Sequence, residues 1–402
     1  MSMLAFVIVM VPTIGLALLT AIPVVQIALA TTQLRARPRG EATSAPADAS
    51  AVRVAVLVPA HNEESGITNT LRQALQSMPP GGRLLVVADN CSDRTAEVAR
   101  AAGAQVVERT DLAKRGKGYA LDYGVRELAA DPPDVLIVLD ADCGVEPDTL
   151  VHLAQRCAQR QRPIQALYLM RSSGSPTLRM RVAEFAWIVK NQVRPVGLAR
   201  IGAPCQLMGT GMAFPWALIA DVGLANGHLV EDMKLGVDCA LRGAGPIFAP
   251  DTLVTSWFPS DARAALAQRQ RWEHGHLSLL GQMLPGLLKT AIERRDGTAL
   301  LLGADLAVPP LGLLIALQCL GVVVNACVWG WAGWSTPLMI SVVTIAAFAG
   351  AVLAAWFRFG RSVLRSADLL GVALYVLWKI PLYLRFVFKR QKDWLRTRRD
   401  HE

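Results

Sequence analysis

No lysine or arginine occurs between Thr298 and Phe357, and the segment is almost wholly apolar. A membrane crossing needs about 20 apolar residues, so two crossings fit here, over roughly 306–329 and 338–357. The turn signal WGWAGWSTP (Trp329–Pro337) separates them, and Trp329, Trp331 and Trp334 suit the headgroup belt. Arg358, Arg361 and Arg365 then bring the chain back to the cytoplasmic side. A last apolar stretch, Leu369–Phe388, contains Lys379, Pro381 and Arg385 and is followed by a basic run. Basic flanks favour the cytoplasm and charges are costly at mid-bilayer, so this stretch is expected at the interface, both ends inside.

Leu4 to Ala30 carries no charge. Ala28-Leu29-Ala30 has the form of a signal-peptidase site. However, the preceding residues lack Lys and Arg, and the run exceeds the usual apolar core of about 7–15 residues. Residues 1–32 are therefore expected to be an uncleaved anchor. Arg35, Arg37 and Arg39 follow it, which favours an outside N-terminus and a cytoplasmic remainder. Residues 33–50, including GEATSAPADAS, read as a polar small-residue linker.

The chain is 52% hydrophobic with a formal charge of +9. That charge clusters at the ends of the apolar spans. This points to anionic lipid and argues against a nucleic-acid partner. The seven cysteines form no CxxC pair and are odd in number, so neither a zinc site nor a disulfide framework is indicated. Their pattern fits a reducing cytosolic face.

Residues 51–280 have ordinary soluble composition. Short apolar runs, VRVAVLVPA, RLLVVAD, AQVVER, DVLIVLDAD and IQALYLM, alternate with helical stretches. One helix is expected over Arg94–Ala102, with Asp93 as its cap and Gly103 as its stop. Alternation of this kind predicts a mainly parallel sheet covered on both faces. Residues 281–300 read as an interfacial helix, and 301–402 as the C-terminal transmembrane and interfacial helices.

The strand of VLIVLDADCG (Val135–Gly144) ends in Asp140 and Asp142, which as i and i+2 point the same way. Ligands bind beyond the carboxyl ends of strands in open α/β sheets. Paired carboxylates repel unless a divalent cation sits between them, and Mg²⁺ typically takes one or two carboxylates plus substrate phosphates. Asp-x-Asp is also ordinary turn chemistry. Four more stretches accompany it: VPAHNEE (Val58–Glu64), VVADNCSD (Val86–Asp93), VEDMKLG (Val230–Gly236) and QRQRW (Gln268–Trp272).

In this order and spacing, these motifs resemble the family 2 glycosyltransferases, and most closely the membrane polysaccharide synthases that make cellulose, hyaluronan and poly-N-acetylglucosamine. The resemblance covers about Val52 to Trp272. It implies a GT-A fold, which is Rossmann-like with a mainly parallel sheet, a cytosolic catalytic domain beside helical transmembrane segments, and a nucleotide-sugar donor, usually a UDP-sugar, used with inversion.

By that resemblance Asn62, Glu63 and Asp89 hold the nucleoside, and Lys117, in KRGKGYAL, lies near the donor phosphates. Asp140 serves nucleotide and metal, and Asp142 is the more direct ligand of Mg²⁺ or Mn²⁺. Asp232 matches the general base. Gln268, Arg271 and Trp272, at i, i+3 and i+4 of a helix expected to be capped by Ser260, share one face. Arg271 would face the departing diphosphate and Trp272 the acceptor sugar. Gly209 and Thr210, in MGTGMAF, match an acceptor-side segment. Each residue has a plainer reading too: Glu63, Glu64 and Asp232 as charge favoured at helix starts, Lys117 as a solvated turn, and QRQRW as the polar face of an amphipathic helix. The family commonly has Thr where Val230 stands. His274 and His276 read as polar positions on an interfacial helix, since no third ligand is evident.

The function expected is transfer of a sugar to a hydroxyl of a growing polysaccharide, at the inner (plasma) membrane by a multi-pass protein. A lipid acceptor is the alternative, because few spans remain to line a polymer channel. A non-catalytic nucleotide-binding scaffold is a third reading, which the presence of Asp232 disfavours.

Overall fold

The structure, a computed structural model, describes residues 3–32, 52–259 and 261–371. The linker expected at 33–50, and all but the start of the Leu369–Phe388 stretch, lie outside the described residues. The chain divides into two units. One gathers Arg35–Ser173, Ala203–Leu302 and Lys392–Glu402, and the other Met1–Leu34, Gly174–Gly202 and Gly303–Gln391.

The first unit is built on eight described strands: β1 (Val54–Ala60), β2 (Arg83–Asp89), β3 (Gln105–Arg109), β4 (Val135–Val138), β5 (Gly144–Val145), β6 (Ile164–Arg171), β7 (Met212–Pro215) and β8 (Ile247–Trp257). Their order is β3-β2-β1-β4-β7-β6-β8-β5. β1 pairs in parallel with β2 and β4, β2 with β3, and β6 with β8. β7 runs antiparallel to both β4 and β6, and β5 antiparallel to β8. The sheet is thus mainly parallel, as the strand–helix alternation predicts.

The continuous apolar runs of β1 and β4 have a direct cause. Helices cover both faces, so alternation would bury polar groups without partners. Leu57, Leu136, Ile137 and Phe214 are completely buried, and each contributes about 1.5–3 kcal/mol through removal from water. Because β2, β1 and β4 run side by side, the segments after Asp89, Ala60 and Val138 emerge at one edge. β7 runs the other way, and Met212 opposes Val138. The segment leading into β7 therefore starts from the same edge.

Three local expectations shift. The helix after β2 is Thr95–Ala101, and Asp93 accepts from the Thr95 amide at 3.0 Å. The long helix carrying QRQRW spans Ala262–Glu293, so it continues through position 280. Its cap is Asp261, whose carboxylate accepts from the Ala264 amide at 2.7 Å; Ser260, the cap expected from sequence, lies outside the described residues.

Among the described residues, the second unit has three helices long and apolar enough to cross a membrane: Met3–Thr31, Leu311–Ala332 and Ser335–Gly360. The middle one starts at Leu311, not near 306. Leu306 belongs to a separate helix, Gly297–Ala307, and Pro309-Pro310 interrupts the run. Proline lacks the donor that helix continuation requires. The third is longer than the expected 338–357 at both ends.

Buried polar side chains tie these helices together. Asn325 donates to Ser341 Oγ (2.8 Å) and Thr13 Oγ1 (3.1 Å), and Gln318 donates to Thr20 Oγ1 (2.5 Å). Buried Gln26, Arg194 and Asp305 bond mutually at 2.6–2.7 Å. In an apolar phase an unpaired polar group costs several kcal/mol, so these partners fix which helix faces meet. Gly197 sits in the same unit, where an added Cβ would lie 1.9 Å from the Gln26 carbonyl oxygen.

Candidate active site

The loop after β1 and the loop after β2 lock together. Asn62, at φ 55°, accepts from the Ser92 amide at 2.7 Å and donates to Ser92 Oγ at 3.1 Å. The Glu63 amide donates to Thr95 Oγ1 (2.7 Å), and the Glu64 amide to Asp93 (3.1 Å). Glu64 itself accepts from the Arg94 amide at 2.9 Å, across to the start of the next helix and not in the first turn of its own, which begins at Ile67. Asp89, at the end of β2, is buried and pairs with Arg109 from the end of β3 at 2.5 Å. Asn90 also donates to Asp89, at 3.1 Å. A buried carboxylate needs such a partner. Arg109 was not singled out from sequence; a basic residue ending a strand beside an aspartate-ended one is the available signal.

A second neighbourhood forms around Lys117. Its ammonium pairs with Asp140, donates to the Gly209 carbonyl (2.5 Å) and lies 3.9 Å from Glu231. Burial alone would lower this ammonium. Asp140, Glu231 and Asp232 outweigh burial and raise it above its ordinary value. Glu231 behaves oppositely: burial pushes its carboxyl up to about 7, aided by Asp232 and opposed by Lys117 and Arg271. Arg271 is thus near enough to Glu231 for its charge to be felt there. Gln268 and Trp272, on the same helix, are partly buried. Glu231 is a second group, after Arg109, to which sequence reasoning gave no role. Its position beside Asp232 was visible, but its contact with Lys117 is a product of the fold.

Asp232 is the second residue of the helix Glu231–Leu241. Gly209 faces it. A Cβ at Gly209 would lie 3.3 Å from Asp232 Oδ2 and 3.8 Å from Lys117 Nζ, and φ is +93°. Glycine alone fits that conformation without strain. Thr210, fully buried, accepts the Asp140 amide at 3.0 Å. A small cleft lined by Gly118, Met212, Asn226, Glu231 and Asp232 opens beside them.

Asp140, Asp142 and Cys143 each present a ligand atom within 4.8 Å of one another. Ser256 donates to Asp142 at 3.4 Å and the Cys143 thiol approaches it at 3.8 Å. Burial, then Asp142 and Asp140, push that thiol well up, and the two carboxylates are the hard oxygen donors of the set. Two adjacent carboxylates suit Mg²⁺ or Mn²⁺.

Val230, where the family commonly has Thr, is buried, and the position of a Cβ on Gly275 would meet its Cγ1 at 2.7 Å. An apolar side chain suits this close contact with the QRQRW helix. His274, beside it, is 1% exposed. It is a buried residue and not the interfacial polar position expected.

Residues 51–275 match the family model described as glycosyltransferase like family 2. A probable glycosyltransferase, YdaM, of Bacillus subtilis (strain 168) is 26% identical over 252 residues, covering 60% of this chain and 59% of that protein. Poly-beta-1,6-N-acetyl-D-glucosamine synthase of Staphylococcus aureus (strain COL) is 23% identical over 246 residues, covering 59% of this chain and 58% of that one. The chain thus spans less than two thirds of either relative's length. Among solved structures, the mannosyltransferase PcManGT from Pyrobaculum calidifontis, in complex with GDP-Man and Mn²⁺, is similar in fold. It has a TM-score of 0.46 and 19% identity, covering 76% of this chain and 88% of that one. With more than half of its length matched by the family model, and with the Asp-x-Asp strand end, the Glu-Asp helix start and the QRQRW helix in place, the chain belongs to glycosyltransferase family 2.

Proposed function

We propose that the protein is an inverting membrane glycosyltransferase that passes a sugar from a UDP-sugar to a hydroxyl of a growing polysaccharide. The observation that carries this reading is the convergence of Asp140, Lys117, Gly209 and Asp232, with the charge of Arg271 felt at the adjacent Glu231. Asn62, Glu63 and Asp89 form the nucleoside end. Asp142, with Asp140, would hold Mg²⁺ or Mn²⁺, which when bound supplies positive charge against the donor diphosphate.

Asp232 takes the proton of the acceptor hydroxyl as its oxygen bonds to the anomeric carbon. The bond from that carbon to the diphosphate oxygen breaks, and its electron pair leaves with the nucleoside diphosphate. Lys117 and Arg271 balance the charge that develops there. Gln268, Trp272, Gly209 and Thr210 line the acceptor side. Direct displacement needs one base and no covalent intermediate, which suits a single aspartate.

The catalytic unit lies on the cytoplasmic side of the inner (plasma) membrane, where nucleotide-sugars are made, and the three apolar helices cross the bilayer. A lipid acceptor is the second reading, favoured by the small number of candidate spans among the described residues, since a polymer channel is enclosed by surrounding helices. The test is transfer by the purified full chain from a panel of radiolabelled nucleotide-sugars, with the product sized. A high-molecular-weight product that grows with time supports the polymer reading, and a single-sugar product that partitions into organic solvent supports the lipid one. No transfer from any donor refutes both.

A further inference from the structure

Gln165 lies inside β6, flanked by apolar residues and fully buried. Burying a carboxamide is costly unless its donors and acceptor are matched. Here they are. Its Nε2 donates to the Thr210 carbonyl (2.9 Å) and to the Ala166 carbonyl (2.9 Å), and its Oε1 accepts the Met208 amide at 2.8 Å. The Ala166 amide adds a bond to the Gly211 carbonyl at 2.8 Å. One side chain therefore grips the Met208–Thr210 segment at both ends. That segment holds Gly209, whose carbonyl receives Lys117, and Thr210, whose hydroxyl receives the Asp140 amide.

We propose that Gln165 is a positioning residue for the reaction: it fixes the Met208–Thr210 segment, and through Thr210 and Gly209 it sets Asp140 and Lys117. The inference deepens the function proposed above and rests on it for what those two groups bind. Gln165 touches no substrate itself. The strand is the rigid element, the loop is the part that could wander, and the carboxamide joins them. Partners that orient metal-binding and substrate-binding groups in this way commonly control affinity about 10–100-fold.

The test uses the full-length protein in detergent and three variants that affect different links. Gln165→Met keeps the volume and removes all three bonds. Gln165→Glu keeps the acceptor for the Met208 amide but turns the donor into an acceptor facing two carbonyls. Thr210→Val spares Gln165 and removes only the acceptor of the Asp140 amide. Leu153→Ala, in the helix Thr149–Arg160, which packs on β4, β6 and β7 but makes none of these hydrogen bonds, controls for lost stability. Mn²⁺ binding in the presence of UDP is read by electron paramagnetic resonance, and amide exchange of peptides covering 205–211 and 138–143 by mass spectrometry.

The expected result is Mn²⁺–UDP affinity about 10-fold or more weaker in all three variants, by the scale of outer-shell partners. Exchange should be faster in both peptides of Gln165→Met than in those of Leu153→Ala, whose Mn²⁺–UDP affinity should stay near wild type. Thr210→Ser should recover affinity lost in Thr210→Val. Gln165→Met matching the Leu153→Ala control in affinity and exchange overturns the proposal. A wild type that binds no Mn²⁺–UDP refutes the functional reading instead, and the exchange of the two peptides still decides whether Gln165 positions the segment.

Discussion

Replacing Glu231 by Gln should stabilise the protein at neutral and alkaline pH, and the gain can be worked from its surroundings. Burial pushes the Glu231 carboxyl to about 7 from an ordinary 4.5, in spite of Lys117 at 3.9 Å. Below pH 4.5 the group is protonated folded and unfolded, so Glu and Gln are equivalent. As pH rises toward 7 the unfolded chain releases this proton while the folded protein keeps it, and wild-type stability falls. Above pH 7 the full penalty is present. A carboxyl raised from 4.5 to about 7 corresponds to about 3 kcal/mol. Glutamine mimics the protonated form and escapes the penalty. At about 2–4 °C per kcal/mol for a domain of this size, Glu231→Gln should melt about 6–12 °C above wild type at pH 8. The gap should close below pH 5. Intrinsic tryptophan fluorescence during heating, in one detergent across pH 4.5–8.5, measures it. A variant that melts below wild type at pH 8, with the deficit growing as pH rises, would mean that Glu231 serves as an ionised partner of Lys117 and would refute the reasoning.

Three further outcomes are expected. Gly209→Ala places a Cβ 3.3 Å from Asp232 Oδ2 at φ +93°; the backbone strain is about 1–3 kcal/mol, and turnover should fall more than donor affinity in steady-state kinetics. Arg109→Met leaves Asp89 buried without its ion partner, so the melting transition should drop by the equivalent of about 3–5 kcal/mol, with weaker UDP binding by calorimetry. Gly197→Ala, whose new Cβ would stand 1.9 Å from the Gln26 carbonyl oxygen, should lower the yield of monodisperse protein on size-exclusion chromatography, whereas Gly350→Ala, in the helix Ser335–Ala355 with open space around it, should not.

The parts of the architecture that follow local rules were legible in the sequence. Unbroken apolar runs marked β1 and β4 because doubly covered strands have no solvent face. Asp140 and Asp142 were legible as the polar end of an apolar run, but β4 stops at Val138 and both lie in the turn after it, so the turn and not the strand period brings them together. Charge-free stretches marked the membrane helices, although Pro309-Pro310 moved one start from near 306 to Leu311. Contacts distant in sequence were not legible. Glu231 meets Lys117, Arg109 meets Asp89, and Gln165 meets Met208 and Thr210 only after β7 reverses beside β4. Nothing in IQALYLM says where its one polar side chain will point. The cap assigned to Ser260 fell to the neighbouring Asp261, a shift of one residue that propensity alone does not resolve, since both residue types cap well.

The central claim is that Asp232 performs chemistry while the strand-end carboxylates hold the donor. Calorimetry of UDP with Mn²⁺, paired with single-turnover transfer from the donor accepted by wild type, tests it on Asp232→Asn and Asp142→Asn together. The account predicts that Asp232→Asn binds UDP within a few-fold of wild type yet transfers about 10²–10⁴ times more slowly, the usual contribution of a general base, and that Asp142→Asn loses metal-dependent binding. Transfer at wild-type rate by Asp232→Asn, or equal loss of binding in both variants, would contradict it.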